Sequence, residues 1–138
     1  MKSIAEIQEE IIEEFNMFND WMQKYQYLIE LGKALPKFNE EFKTEDNIIK
    51  GCQSRVWLHA KIEKNNVVFS ADSDAIMTKG IVALLIRVLS NQKASEIAKS
   101  ELVFIEKIDL KDQLSPSRAN GLFSMIKQMK IYALALNR

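Results

Sequence analysis

The chain has 138 residues, 47% of them apolar, and its 19 Lys and Arg balance 19 Asp and Glu, so the net charge is zero. That length and apolar share suit one domain that buries its own core, and they exclude a disordered chain. A zero balance gives no broad attraction to nucleic acid or to an anionic membrane.

Ser3 followed by Glu6 predicts a capping box that opens a first helix. Ile4, Ile7, Ile11, Phe15 and Phe18 recur at helical spacing and give it one apolar stripe. Glu6, Glu9, Glu10, Glu13 and Glu14 lie among these residues, so the start reads as an amphipathic helix rather than a leader segment. The acidic pairs Glu9-Glu10 and Glu13-Glu14 are read as a solvated face, not as metal carboxylates. Asn19 and Asp20 offer caps for a second helix from Trp21 to about Leu31, with Gly32 placed to end it in a left-handed conformation. Tyr25 and Tyr27 are read as core and cap. Leu35-Pro36 opens an irregular stretch, with a turn of helix expected around Asn39 to Phe42 and a third strand near Phe42 to Ile49.

The period then changes. Arg55, Trp57, His59, Lys61 and Glu63 alternate with Val56, Leu58, Ala60 and Ile62, the pattern of a half-buried strand. Lys64-Asn65-Asn66 supplies turn chemistry, and Val67 to Phe69 form the returning strand. Ser73 or Asp74 is placed to cap a largely apolar helix from Ala75 to about Leu89, expected to be the central buried helix. In it Lys79 reads as helix surface and Gly80 as a close packing point. Short helices are expected at Ser95-Glu96 and within Leu102 to Ile108. Ser115-Pro116 marks the start of a last helix, striped by Leu122, Met125, Ile126, Met129, Ala133 and Leu136. The longest apolar stretch, Ile81 to Ile86, is too short to span a bilayer. The expectation is therefore a soluble cytoplasmic protein of one domain, 1–138. Its fold class is α+β, with a small antiparallel sheet of about three strands flanked by helices.

Cys52 is the one cysteine and His59 the one histidine. No intrachain disulfide forms from one thiol. One Cys and one His do not make a Cys/His zinc site, and a cluster scaffold usually draws several thiolates from its own chain. Cys52 sits in IIKGCQSRVW, in the loop leading into the first strand. Gly51 lets that loop turn sharply. Gln53 and Ser54 bring amide and hydroxyl groups, and Lys50 and Arg55 bring positive charge that favours thiolate over thiol. A sulfur acceptor needs such a thiol on a movable loop, and no second cysteine to divert the product into a disulfide. The new persulfide must also be shielded from reductants and oxidants, and a loop that tucks the sulfur against the apolar sheet when idle and swings out when engaged provides both reach and shielding. Local sequence leaves reactive and inert readings of Cys52 evenly balanced.

Four segments bear on that balance: YQYLIELGKALP (Tyr25 to Pro36), IIKGCQSRVW (Ile48 to Trp57), SDAIMTKGIVALL (Ser73 to Leu85) and LSPSRANGL (Leu114 to Leu122). In this order they resemble the successive motifs of the SufE family, and they draw on nearly the whole chain. The resemblance implies the fold shared with scaffold proteins of iron–sulfur assembly. It also implies a role: Cys52 accepts sulfur from the persulfide of a SufS-like or CsdA-like cysteine desulfurase, stimulates that enzyme, and passes the sulfur to an iron–sulfur scaffold. The implied protein is a covalent carrier without independent turnover and without a cofactor of its own, since pyridoxal phosphate belongs to the desulfurase. Arg118 lies within the last motif, where a cation at a helix start is mildly unfavourable and wants a reason. It is expected beside the Cys52 loop or at the desulfurase interface, with Asp74 and Arg55 as further support. Trp57 is expected at the sheet edge. The competing readings are a purely regulatory binding module with a passive Cys52, and a cysteine–histidine hydrolase using His59. Their odd separation along the chain argues against the hydrolase.

Overall fold

The computed structural model describes residues 2–137. Helix α1 spans Ile4–Asn16 and opens on the expected capping box: Ser3 Oγ accepts from the Glu6 amide at 3.1 Å, and the Glu6 carboxylate accepts from the Ser3 amide at 3.2 Å. Its stripe buries Ile4, Ile11 and Phe15. Helix α2 spans Trp21–Lys33, with Asp20 Oδ1 accepting from the Gln23 amide at 2.9 Å.

Gly32 does not end α2. The helix runs through it to Lys33, and the following Ala34 is right-handed. The reason lies far away in the chain. A Cβ at Gly32 would stand 2.8 Å from the Gly80 amide nitrogen, and one at Gly80 would stand 2.3 Å from the Leu28 carbonyl oxygen. Gly32 and Gly80 are therefore the point where α2 and α3 (Ile76–Leu89) cross backbone to backbone. Close packing at Gly80 is as expected.

Asn39 caps a single 3₁₀ turn, Glu40–Phe42, through the Glu41 amide at 3.0 Å. A second 3₁₀ turn, Glu45–Asn47, occupies the place of the expected third strand. What remains of that strand is one bridge between Ile48 and Trp57. The sheet has two antiparallel strands, β1 (Val56–Glu63) and β2 (Asn66–Ser73), in register from Val56 opposite Ser73 to Glu63 opposite Asn66. Lys64 and Asn65 join them with φ of 52° and 69°, both left-handed, as a two-residue hairpin loop demands. β1 buries Val56 and Leu58, but Ile62 near the hairpin tip is 45% exposed because the core ends before it.

Helix α3 is the central element, burying Ile81, Val82, Leu84, Leu85, Val88 and Leu89. Its expected cap is different: no side chain caps the helix at Ala75, and Ser73 Oγ accepts from the Ala75 amide at 3.2 Å. Short helices α4 (Ala94–Lys99), α5 (Phe104–Lys107) and α6 (Leu110–Gln113) follow. Helix α7 (Pro116–Leu136) starts at Ser115, whose Oγ accepts from the Arg118 amide at 3.3 Å, and buries Leu122, Met125, Met129 and Ala133. The architecture is a mostly helical α+β fold. Among the described residues no helix is long and apolar enough to cross a membrane.

One acidic pair of α1 is not merely solvated. Arg87 of α3 donates to Glu14 through both terminal nitrogens, one at 2.7 Å, and the Tyr27 hydroxyl of α2 donates to the same carboxylate. This half-buried triangle ties α1, α2 and α3 together. The Arg87 bond holds the Glu14 carboxyl below its ordinary range. Burial, then the bond to Glu14, push the Tyr27 phenol up. Tyr25 instead donates to the Gln113 carbonyl at 2.7 Å, pinning α2 to the end of α6.

Candidate functional site

The loop that carries Cys52 is fastened at both ends. On one side the Ile49 amide donates to the Val56 carbonyl at 2.9 Å. On the other, Arg55 is held by its backbone. Its amide donates to Asp74 Oδ1 at 3.0 Å, and its carbonyl accepts from Ser73 Oγ at 2.8 Å and from the Asp74 amide at 3.3 Å. Asp74 therefore fixes the strand end of the Cys52 loop rather than capping α3. Between these anchors Gly51 takes φ +93°, a conformation L side chains rarely adopt, and a Cβ there would meet Ser124 Oγ at 2.5 Å.

That turn aims Cys52 inward. Its Sγ donates to the Gly121 carbonyl at 3.6 Å, in a seat formed by Thr78 and Ile81 of α3 and by Arg118, Gly121 and Met125 of α7. Gln53 and Ser54 complete the rim. The free space left is about 10 Å³, at or below what one water molecule requires. The sulfur thus rests against two helices, not against the sheet as the sequence suggested. Gly121 faces the sulfur directly, and a Cβ there would lie 3.5 Å from it, in ordinary contact, so the approach does not itself demand a glycine.

Burial pushes the Cys52 thiol up from its ordinary value. The expected pull toward thiolate from Lys50 and Arg55 does not prevail, because both side chains are exposed while the sulfur is turned inward. In the seat, burial therefore favours the neutral thiol over the thiolate. Arg118 is exposed at the rim, and among the described residues its guanidinium forms no hydrogen bond or ion pair.

The structure thus brings Cys52, Gln53, Ser54 and Arg118 together, sets Gly51 behind them, and places Asp74 one bond away through Arg55. Sequence reasoning missed Thr78, Met125, Ser124 and above all Gly121. An isolated glycine inside a helical pattern is a usable signal of close approach, but what approaches it comes from residues about seventy positions earlier. His59 belongs elsewhere: its ring stacks on Phe42 with centroids 3.7 Å apart and planes 5° apart, and it is not part of the Cys52 seat. No cysteine–histidine pair is assembled. Trp57 is half-buried under the Lys43 ammonium, which bonds Asp72 at 3.1 Å, and Lys79 bonds the same carboxylate at 3.2 Å. Among the described residues no group of three or more His, Cys, Asp or Glu is placed to hold a metal ion.

Comparison with known proteins finds relatives over most of the chain. Residues 9–133 match the SufE family, described as an Fe-S metabolism associated domain. An uncharacterized SufE-like protein of Rhizobium etli is 42% identical over 127 residues, covering 88% of this chain and 86% of that one. A similar uncharacterized SufE-like protein of Rhizobium meliloti is 40% identical over 127 residues, covering 88% of this chain and 91% of that one. The SufE-like protein 1, chloroplastic/mitochondrial, of Arabidopsis thaliana is 41% identical over 129 residues; these are 93% of this chain but only 35% of the plant protein. Among solved structures, the solution structure of a hypothetical protein from Thermus thermophilus superposes with a TM-score of 0.78 over 94% of this chain and 95% of that one, at 18% identity.

Proposed function

This chain belongs to the SufE family, and from that premise we propose that it is a sulfur acceptor and carrier in iron–sulfur cluster assembly, working through a persulfide on Cys52. The observation that carries the reading is the setting of the chain's one thiol. It lies on a loop that turns at Gly51 and is anchored at both ends, held in a seat beside Arg118, whose guanidinium has no partner among the described residues.

The donor is a cysteine desulfurase carrying a persulfide made with its own pyridoxal phosphate. Cys52 leaves the seat and loses its proton to solvent or to a partner base. The thiolate then attacks the outer sulfur of the donor persulfide. One S–S bond forms, the donor's S–S bond breaks, and the donor's inner sulfur leaves as a thiolate. A second exchange of the same kind passes the sulfur to an iron–sulfur scaffold. Removing the sulfur from the donor frees it for another cycle, which is the sense in which this protein stimulates the desulfurase. The carrier uses no cofactor of its own and has no turnover alone. A lone, unpaired thiol suits a reducing cytoplasmic setting.

Each neighbour has a part. Gly51 is the hinge, Gln53 and Ser54 form the rim, and the Asp74–Arg55 bond holds the far end of the loop. Arg118 meets the partner or the transferring sulfur. The raised thiol favours one other reading, a regulatory module in which Cys52 stays passive. Replacing Cys52 by Ser separates the two. Relay predicts that Cys52→Ser still binds the desulfurase but no longer stimulates it, whereas full stimulation by the variant leaves only the regulatory reading.

A further inference from the structure

We propose that the Cys52 seat is selective for the empty carrier: it accepts the bare thiol and rejects the persulfide, so that gaining a sulfur atom expels the side chain from the seat. This rests on the reading that Cys52 is the atom loaded.

Size works against the persulfide. The seated sulfur already touches the Gly121 carbonyl at 3.6 Å, and only about 10 Å³ remains around it. A second sulfur extends the side chain by about 2 Å and is larger than the water molecule this space barely admits. The walls do not yield cheaply. Gly121 and Met125 sit on a helix of 21 residues, and Thr78 and Ile81 belong to the buried face of α3, where Ile81 is 1% exposed. The loop is the compliant wall, since Cys52 and Ser54 are only half-buried and Gly51 and Gln53 are exposed.

Charge works against it as well. A persulfide is a stronger acid than a thiol and is an anion at neutral pH. Where the sulfur sits, the seat presents the Gly121 carbonyl, which repels an anion, beside Ile81 and Met125, which do not solvate it; the neutral Thr78 and Ser117 also line it, and the cation of the lining, Arg118, is exposed. The same surroundings hold the resting thiol in its neutral form. The Arg118 guanidinium, without a partner among the described residues, stands at the rim, so an expelled persulfide moves toward a cation. Loading therefore presents the sulfur for delivery, and unloading returns the loop to rest. Shelter of the loaded sulfur falls to the docked partner, not to the seat.

The experiment uses the whole chain with its one thiol loaded in two ways. In the first, sodium tetrasulfide serves as donor: the Cys52 thiolate takes one sulfur and trisulfide leaves. In the second, methyl methanethiosulfonate leaves a neutral methyl disulfide and releases methanesulfinate. Neither route needs a desulfurase, so a failure of enzymatic loading and a failure of this proposal are distinguishable. The readout is the nuclear Overhauser contact between the Cys52 β protons and the Gly121 α protons, with β1–β2 amide exchange as control for the fold. The contact is expected in the reduced protein and lost in both loaded forms while sheet exchange is unchanged. Persistence of the contact in the tetrasulfide-loaded form overturns the proposal. Gly121→Ala supplies a second test, because its methyl fills the remaining space in ordinary contact. The persulfide of this variant should react with glutathione within about twofold of the wild-type rate. A clearly faster loss would mean that the seat shelters the loaded sulfur, and the proposal fails.

Discussion

Replacing Gly51 by Ala should release Cys52 from its seat without unfolding the protein. The residue holds φ +93°, and a Cβ would stand 2.5 Å from Ser124 Oγ. A non-glycine residue in such backbone costs about 1–3 kcal/mol, and it carries that cost only while the loop is seated. The hydroxyl of Ser124 belongs to a half-buried side chain that can turn away, so the clash adds to the cost without dominating it. Shifting a two-state equilibrium by that energy changes populations about 5- to 150-fold. Iodoacetamide at limiting concentration reads the population directly, because alkylation needs the exposed thiolate. The wild-type thiol should react more slowly than free cysteine at the same pH, and the variant faster than wild type by a factor within that range. Gly51→Ala combined with Ser124→Ala relieves the clash but not the φ, so its rate should fall between the two. An unchanged alkylation rate in a folded Gly51→Ala protein would refute the view that this glycine holds the thiol in place.

At Gly80 the same substitution should act on stability instead. Alanine favours a helix by about 1 kcal/mol, yet its Cβ would stand 2.3 Å from the Leu28 carbonyl oxygen. The overlap is with backbone, so Gly80→Ala should lose about 1–3 kcal/mol in urea unfolding despite its better propensity. Arg118→Ala should stay within about 0.5 kcal/mol of wild-type stability, because the exposed guanidinium has no partner among the described residues. The same variant should weaken sulfur transfer or desulfurase binding. The Glu14 carboxyl is held low by Arg87, so its contribution is full above the ordinary carboxylate range and is lost as pH falls through the folded-state value. Arg87→Met should therefore flatten the acid side of the stability–pH curve, measured by thermal unfolding between pH 3 and 7 as an order-of-magnitude window around the carboxylates.

Local features were readable in the sequence wherever the partner lies a few residues away. The Ser3–Glu6 box, the Asp20 cap, the Ser115-Pro116 start and the period-two run of β1 depend on neighbours in the chain, and all four appear where expected. The misreadings involve distant partners. Gly32 looked like a helix terminator because nothing nearby shows that Gly80 will lie against it. Asp74 looked like a helix cap, but its carboxylate serves the Arg55 amide 19 residues upstream. Glu14 looked solvated until α3 placed Arg87 beside it, 73 residues on. At the site itself, the loop and the sharp turn at Gly51 were legible, while the seat was not. Lys50 and Arg55 are neighbours of Cys52 in sequence, but the sulfur turns away from them toward Gly121, and burial outweighs their charge.

A sulfur relay stands or falls on Cys52 gaining a sulfur atom. After incubation of the protein with a cysteine desulfurase and free cysteine, peptide mass spectrometry should find one added sulfur on the segment containing Cys52. It should be removable by a thiol reductant and absent from Cys52→Ser. An unmodified Cys52 throughout a time course in which the desulfurase is nonetheless stimulated would contradict it.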